Sequence, residues 1–127
     1  MARSEHLPIY KQSYDLCLYL EQVVQGFPRY HKYSIGSDLR DTAREILKLI
    51  VRANARDDKR EVLQNIREEV EQLKLLLRLA LDVHAFSRLN SFEHAVTIAV
   101  DVAKQNEGWL KSQHQSRGQN RKAMPPG

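Results

Sequence analysis

Apolar residues recur along this chain at intervals of three and four, in four blocks divided by short polar breaks. That is the spacing of one buried face of an α-helix. The first block starts at Pro8, a residue favoured in a first helical turn. It carries Tyr10, Tyr14, Cys17, Leu18, Leu20, Val24 and Phe27, and Gly26-Phe27-Pro28 closes it. The second opens at or just after Ser34, with core positions Leu39, Ala43, Ile46, Leu47 and Ile50, and ends near Ala55. Ser37 is an alternative cap, but Arg40 stands three residues on where a capping box needs Glu or Gln.

Asp57 and Asp58 place negative charge at the start of the third block, where a helix dipole favours it. Leu63, Ile66, Val70, Leu73, Leu77 and Ala80 then form one long stripe. LKLLLRLAL adds Leu75, Leu76, Leu79 and Leu81, so this end is apolar nearly all round and needs neighbours on more than one side. The fourth block follows Asn90 or Ser91 and runs through Phe92, Ala95, Val96, Ala99, Val102 and Ala103 to Trp109 and Leu110. Four such helices with short connections predict an all-α fold, an antiparallel up-down-up-down four-helix bundle. The expected domain is residues 7–112, with a flexible N-terminus at 1–6 and a disordered basic tail at 113–127. Excess apolar surface on the third helix points to a homo-oligomer.

Charge changes this picture only locally. The chain of 127 residues has 20 Lys and Arg against 16 Asp and Glu, a formal +4. Arg117, Arg121 and Lys122 lie in the acid-free tail, which leaves 17 bases against 16 acids, a net +1, for the rest. Polyanion binding therefore has to rest on where charges sit and not on their sum. Cys17 is the only cysteine, so no internal disulfide or cysteine zinc cluster is expected, and its run LCLYL suits a buried small hydrophobe. The first residues lack the apolar core of a signal peptide, and no apolar run is long enough to cross a bilayer. The expected setting is cytoplasmic, with no membrane contact.

Enzyme chemistry finds little support. His6, His31, His84, His94 and His114 are scattered, and there is no HExxH, no repeated ExxH, no Walker A and no GxGxxG. Glu68, Glu69 and Glu71 read as a solvated helix face. No metal or cofactor is expected.

The basic residues hold more. Arg40, Arg44, Lys48, Arg52 and Arg56 follow one another at steps of four. Each step overshoots the helical repeat by about 40°, so the row is a spiral band winding through roughly 160°. Asp41 and Glu45 cancel part of its field, while Lys48, Arg52 and Arg56 have fewer acids on their own helix. Arg67, Lys74 and Arg78 add positive charge on the third helix, although Arg78, with Asp82 four residues on, equally suits an ion pair. Repeated around a symmetry axis, such a patch would focus its field into a channel. The candidate nucleic-acid-binding residues are Arg44, Lys48, Arg52, Arg56, Arg67, Lys74 and Arg78. No aromatic interleaves the row on the second helix, so phosphate contact is expected there.

FPRYHKYSIGSDLRDTAREILKLIVRANA, LKLLLRLALDVHAFSRLNSFEHA and EGWLKS together resemble the accessory variability determinant proteins of diversity-generating retroelements. These share a four-helix-bundle superfamily with the proteins encoded in intervening sequences of bacterial 23S ribosomal RNA genes. Phe27-Pro28 and the turn Tyr33-Ser34-Ile35-Gly36 match the family's first connection. Leu77, Arg78, Leu79 and Asp82 match its LRLxxD block, and Trp109-Leu110 its terminal GW motif. The chain departs at VAKQNEGW, where relatives commonly read something like IGRMLGGW, so Gln105, Asn106 and Glu107 replace a partly apolar stretch. The resemblance implies a non-enzymatic protein, a barrel of five subunits that binds RNA and/or DNA and the retroelement's reverse transcriptase during mutagenic cDNA synthesis. The alternative is a structural or protein-interaction four-helix bundle without a nucleic-acid role.

Overall fold

A computed structural model describes the backbone of residues 3–123 and the side chains of residues 3–114. Among them there is no strand. Four long helices make a helical bundle: α1 (Pro8–Gln25), α3 (Ile35–Ala55), α4 (Arg60–Asp82) and α5 (Leu89–Ala123). A one-turn helix α2 (Arg29–Lys32) lies between α1 and α3, and a 3-10 turn at Ser4–His6 precedes α1. α1 and α4 each pack against both α3 and α5, so the four long helices enclose one core.

The stripe of α4 is as the sequence has it, with Leu63, Ile66, Val70, Leu73, Leu77 and Ala80 all fully buried. α1 turns a different face inward from the one its tyrosines suggest. Ile9, Leu16, Leu20 and Val24 are buried together with Ser13, whereas Tyr14 and Leu18 are about half exposed. In α3 the buried positions include Leu49 and Ala53, and Leu47 sits at the edge.

Helix ends are set by local chemistry. Pro8 opens α1 at its first turn. Gly36 is required by close approach: a Cβ there would lie 2.7 Å from Val24 Cγ1 and 3.1 Å from the His31 carbonyl oxygen. α4 begins at Arg60, later than the aspartates, because Asp58 Oδ1 accepts the Arg60 backbone N–H at 3.3 Å from outside the helix. Those hydrogen bonds from Arg60 hold the Asp58 carboxyl below its ordinary range. At the far end of α4, Ala85 N–H reaches Ala80 O and His84 N–H reaches Leu81 O, with His84 at φ 62°. This is a Schellman closure in which a histidine takes the left-handed position usually given to glycine. Ala80 and Ala85, both buried, make the apolar contact that accompanies it.

Helical backbone extends beyond the expected domain at both ends. Ser4–His6 is a helical turn that packs on α1 and α3, with Asn54 Nδ2 donating to Ser4 Oγ at 3.3 Å, so part of the supposed flexible lead-in is folded onto the domain. α5 continues past Gln113 to Ala123. Extending a helix already held by packing is far easier than starting one, and Gln, Arg, Lys and Ala are favourable in it. Residues 124–127 of the expected tail lie outside the described residues. No helix among the described residues is long and apolar enough to cross a membrane.

Candidate nucleic-acid interface

The outer face of α3 carries the basic row, and its two halves differ. Arg40 and Arg44 both turn to Glu21 on α1: Arg40 lies 3.8 Å from it, and Arg44 makes a hydrogen-bonded pair with it. Arg44 also lies 3.7 Å from Asp41. Lys48, Arg52 and Arg56 are exposed and, among the described residues, make no ion pair. Their ammonium and guanidinium groups stand over solvent, with half-exposed Val51 among them. On the α4 side of the row the seam is acidic. Burial pushes the Glu69 carboxyl up, and the neighbouring charges of Glu45 and Glu68 push it further. The positive field therefore opens away from α4, toward the outer face of α3.

The three candidates on α4 are each matched to a carboxylate. Arg67 is held by Glu107 of α5 through two hydrogen bonds, Nε to Oε1 at 2.6 Å and an NH2 contact to Oε2 at 2.8 Å. This fork-on-carboxylate geometry is the strongest arrangement open to arginine. Through it Arg67 lowers the carboxyl of Glu107, and Glu107 raises the guanidinium. Lys74 lies 2.7 Å from Glu71 and Arg78 lies 3.3 Å from Asp82. The seven candidates therefore differ in how far internal carboxylates already engage them. The structure groups Lys48, Arg52 and Arg56 as free cations, leaves Arg44 shared, and commits Arg67, Lys74 and Arg78 elsewhere.

Lys59 is a cation that sequence spacing does not single out. Its ammonium donates to the carbonyls of Ala53 at 2.9 Å, Asn54 at 3.4 Å and Arg56, closing the end of α3. It also lies 6.0 Å from the centre of the Trp109 ring. Three carbonyls and an aromatic ring occupy it, which makes it a structural cation.

The divergent Gln105-Asn106-Glu107 segment has a defined internal use. Glu107 holds Arg67, and Asn106, fully buried, donates from Nδ2 to the Leu63 carbonyl at 2.9 Å. Asn106 Oδ1 is buried without a partner. A buried polar atom left unpaired carries a penalty of about 1–3 kcal/mol. Asn106→Leu, which keeps the branched shape and removes that atom, is expected to leave stability unchanged or raise it by about 1 kcal/mol. Asn106→Ala, which opens a cavity, should lower it by about 1–3 kcal/mol. Urea unfolding of the two variants measures the difference.

Among the described residues no group of three or more His, Cys, Asp or Glu could hold a metal ion. His94 packs edge-on against Tyr19, 4.6 Å between ring centres. Burial pushes the Cys17 thiol up to about 11, away from reactivity at neutral pH.

A family model described as bAvd-like matches residues 7–113, from the turn before α1 through the region of Trp109. The chain belongs to the bAvd-like family. These are the accessory variability determinants of diversity-generating retroelements, a non-catalytic kind of protein. No curated protein matches the chain. The match covers α1, α3 and α4 in full and α5 as far as residue 113, so the exposed α3 row lies within it.

Proposed function

We propose that this protein is the non-enzymatic accessory subunit of a diversity-generating retroelement. In this reading it binds RNA and/or DNA together with the reverse transcriptase and supports mutagenic cDNA synthesis in the cytoplasm. Family membership over residues 7–113 is the observation that carries the proposal. The free cations Lys48, Arg52 and Arg56 support the nucleic-acid part, because phosphate contact needs charges that no internal carboxylate already holds.

The assembly belongs to the same proposal: an up-down-up-down monomer in a homo-oligomer, a ring of five. Contacts that pair low numbers with high ones support alternating helix directions. Tyr19 meets His94, while Leu7–Ile9 share a cavity with Gln105 and Trp109. Glu21 meets Arg44, while Ser4 meets Asn54. Leu75 and Leu79, 69 % and 50 % exposed on α4, support association. They also favour the second reading, a bundle that binds only proteins.

Reconstitution separates the two readings. With the reverse transcriptase and template RNA of the same retroelement, the protein is expected to co-elute with the polymerase and to be required for template-primed cDNA. A cDNA yield and error spectrum identical with and without the protein would overturn the proposal.

A further inference from the structure

The connection between α1 and α3 holds two aromatic rings that contribute nothing to the core. Tyr30 is 83 % exposed and Tyr33 is 68 % exposed. Tyr30 lies in the one-turn helix α2 and Tyr33 caps its end three residues on, while the Tyr30 ring meets His31 edge-on at 5.2 Å. Cations alternate with them. Arg29 precedes Tyr30, and the Lys32 ammonium lies 5.9 Å from the centre of the Tyr33 ring. Neither Arg29 nor Lys32 makes an ion pair among the described residues. Arg88, from the α4–α5 connection, is likewise exposed and unpaired. The acids within reach of this end by sequence are Asp38 in the first turn of α3, Glu93 near the start of α5, and Asp82, which Arg78 already engages.

The turn is also held still. Phe27, just before it, is buried and meets Phe86 edge-on at 5.1 Å. His31 and Lys32 N–H both donate to the Pro28 carbonyl at 2.9 Å, and Ser34 Oγ donates to the Tyr30 carbonyl at 2.8 Å. Gly36 locks the start of α3 against Val24 and the His31 carbonyl. Two large rings are thus presented to solvent on a backbone that need not be ordered on binding.

We propose that Tyr30 and Tyr33 form a stacking platform for unpaired bases of a single-stranded nucleic acid, with Arg29 and Lys32 holding the phosphates beside them. The proposal takes its ligand class from the nucleic-acid reading above but does not depend on the α3 row. Aromatic faces alternating with cations along one turn match the alternation of base and phosphate along a strand, and stacking tolerates any base. A duplex keeps its bases stacked on each other and offers only phosphates, so the platform separates single strands from duplex where the α3 row does not.

The test uses the full chain and fluorescence anisotropy with three probes of about 20 nucleotides: an oligothymidylate, the same strand carrying abasic sites, and a duplex. Tyr30→Ala with Tyr33→Ala is expected to weaken single-strand binding by at least about ten-fold and duplex binding by less than about two-fold. The double phenylalanine variant should bind as the parent does. The abasic strand should bind the parent about as weakly as the intact strand binds the alanine variant. Parallel loss on all three probes, or a changed oligomer size, would overturn the platform. So would an alanine variant that matches the parent while duplex binding persists, and that result would leave the nucleic-acid reading standing. A parent protein that binds none of the probes would remove both.

Discussion

Replacing Lys48 and Arg52 together by alanine should lower affinity for unrelated RNA and DNA alike, by roughly 10- to 100-fold at about 0.1 M salt. Each phosphate neutralised by a lysine or arginine releases condensed counterions, which contributes about 0.7 to 0.9 to the slope of log affinity against log salt. Removing two contacts per bound subunit should therefore flatten that slope by about 1.5 as well. Both side chains are exposed and neither makes an ion pair among the described residues, so helicity and oligomer size should not change. Arg67→Ala is the informative control. Its guanidinium is already spent on Glu107, and its loss should affect the α4–α5 seam more than affinity. Salt-titrated anisotropy on a duplex and on an RNA measures both terms. If the double variant binds as the parent does while the oligomer stays intact, the row is only a solvated helix face.

Leu75→Glu with Leu79→Glu should release a monomer of 14.8 kDa, with helicity retained, in light scattering at micromolar concentration. Covering one leucine is worth about 1.5–3 kcal/mol, and a carboxylate in its place adds a desolvation penalty, so the pair should weaken a subunit contact by at least a hundred-fold. The second uncovered apolar stripe, Tyr14 and Leu18, is on α1, across the core from α4. Two different patches on opposite sides suit a contact that repeats head to tail and closes into a ring, not the self-matching patch of a two-fold dimer. An unchanged oligomer mass in the double variant would place the subunit contact elsewhere on the molecule.

α4 could be read from the sequence because every position of its inward stripe is aliphatic. α1 could not. Ser13 breaks its inward stripe, while Tyr14 and Leu18 continue from half-buried Tyr10 in an apolar line at steps of four that ends half exposed. Hydrophobicity alone cannot tell a core face from a face reserved for another molecule. The basic row was legible as a row, but its partition was not. The Arg78–Asp82 pair is visible at a separation of four. Glu21 lies 23 residues before Arg44, and Glu107 lies 40 residues after Arg67, so only the packing of α1 on α3 and of α4 on α5 brings those carboxylates in. Asn106 stood out only as a departure from the family's partly apolar stretch; its burial was not legible, since a polar residue late in an amphipathic helix is ordinarily solvated. The two tyrosines of the first connection were visible in FPRYHKY, but their exposure depends on which neighbours Phe27 and Gly36 draw inward.

Trp109 is the only tryptophan of the chain. It is partly buried beside Leu7, Pro8, Ile9 and Gln105, with the Lys59 ammonium over its ring. The indole thus joins the start of α1, the α3–α4 connection and α5 at the end of the bundle remote from Tyr30 and Tyr33. Its emission is consequently a native optical signal for that one seam. It can follow the seam's opening during denaturation without a dye, while a ligand bound at the tyrosines is too distant to quench it directly.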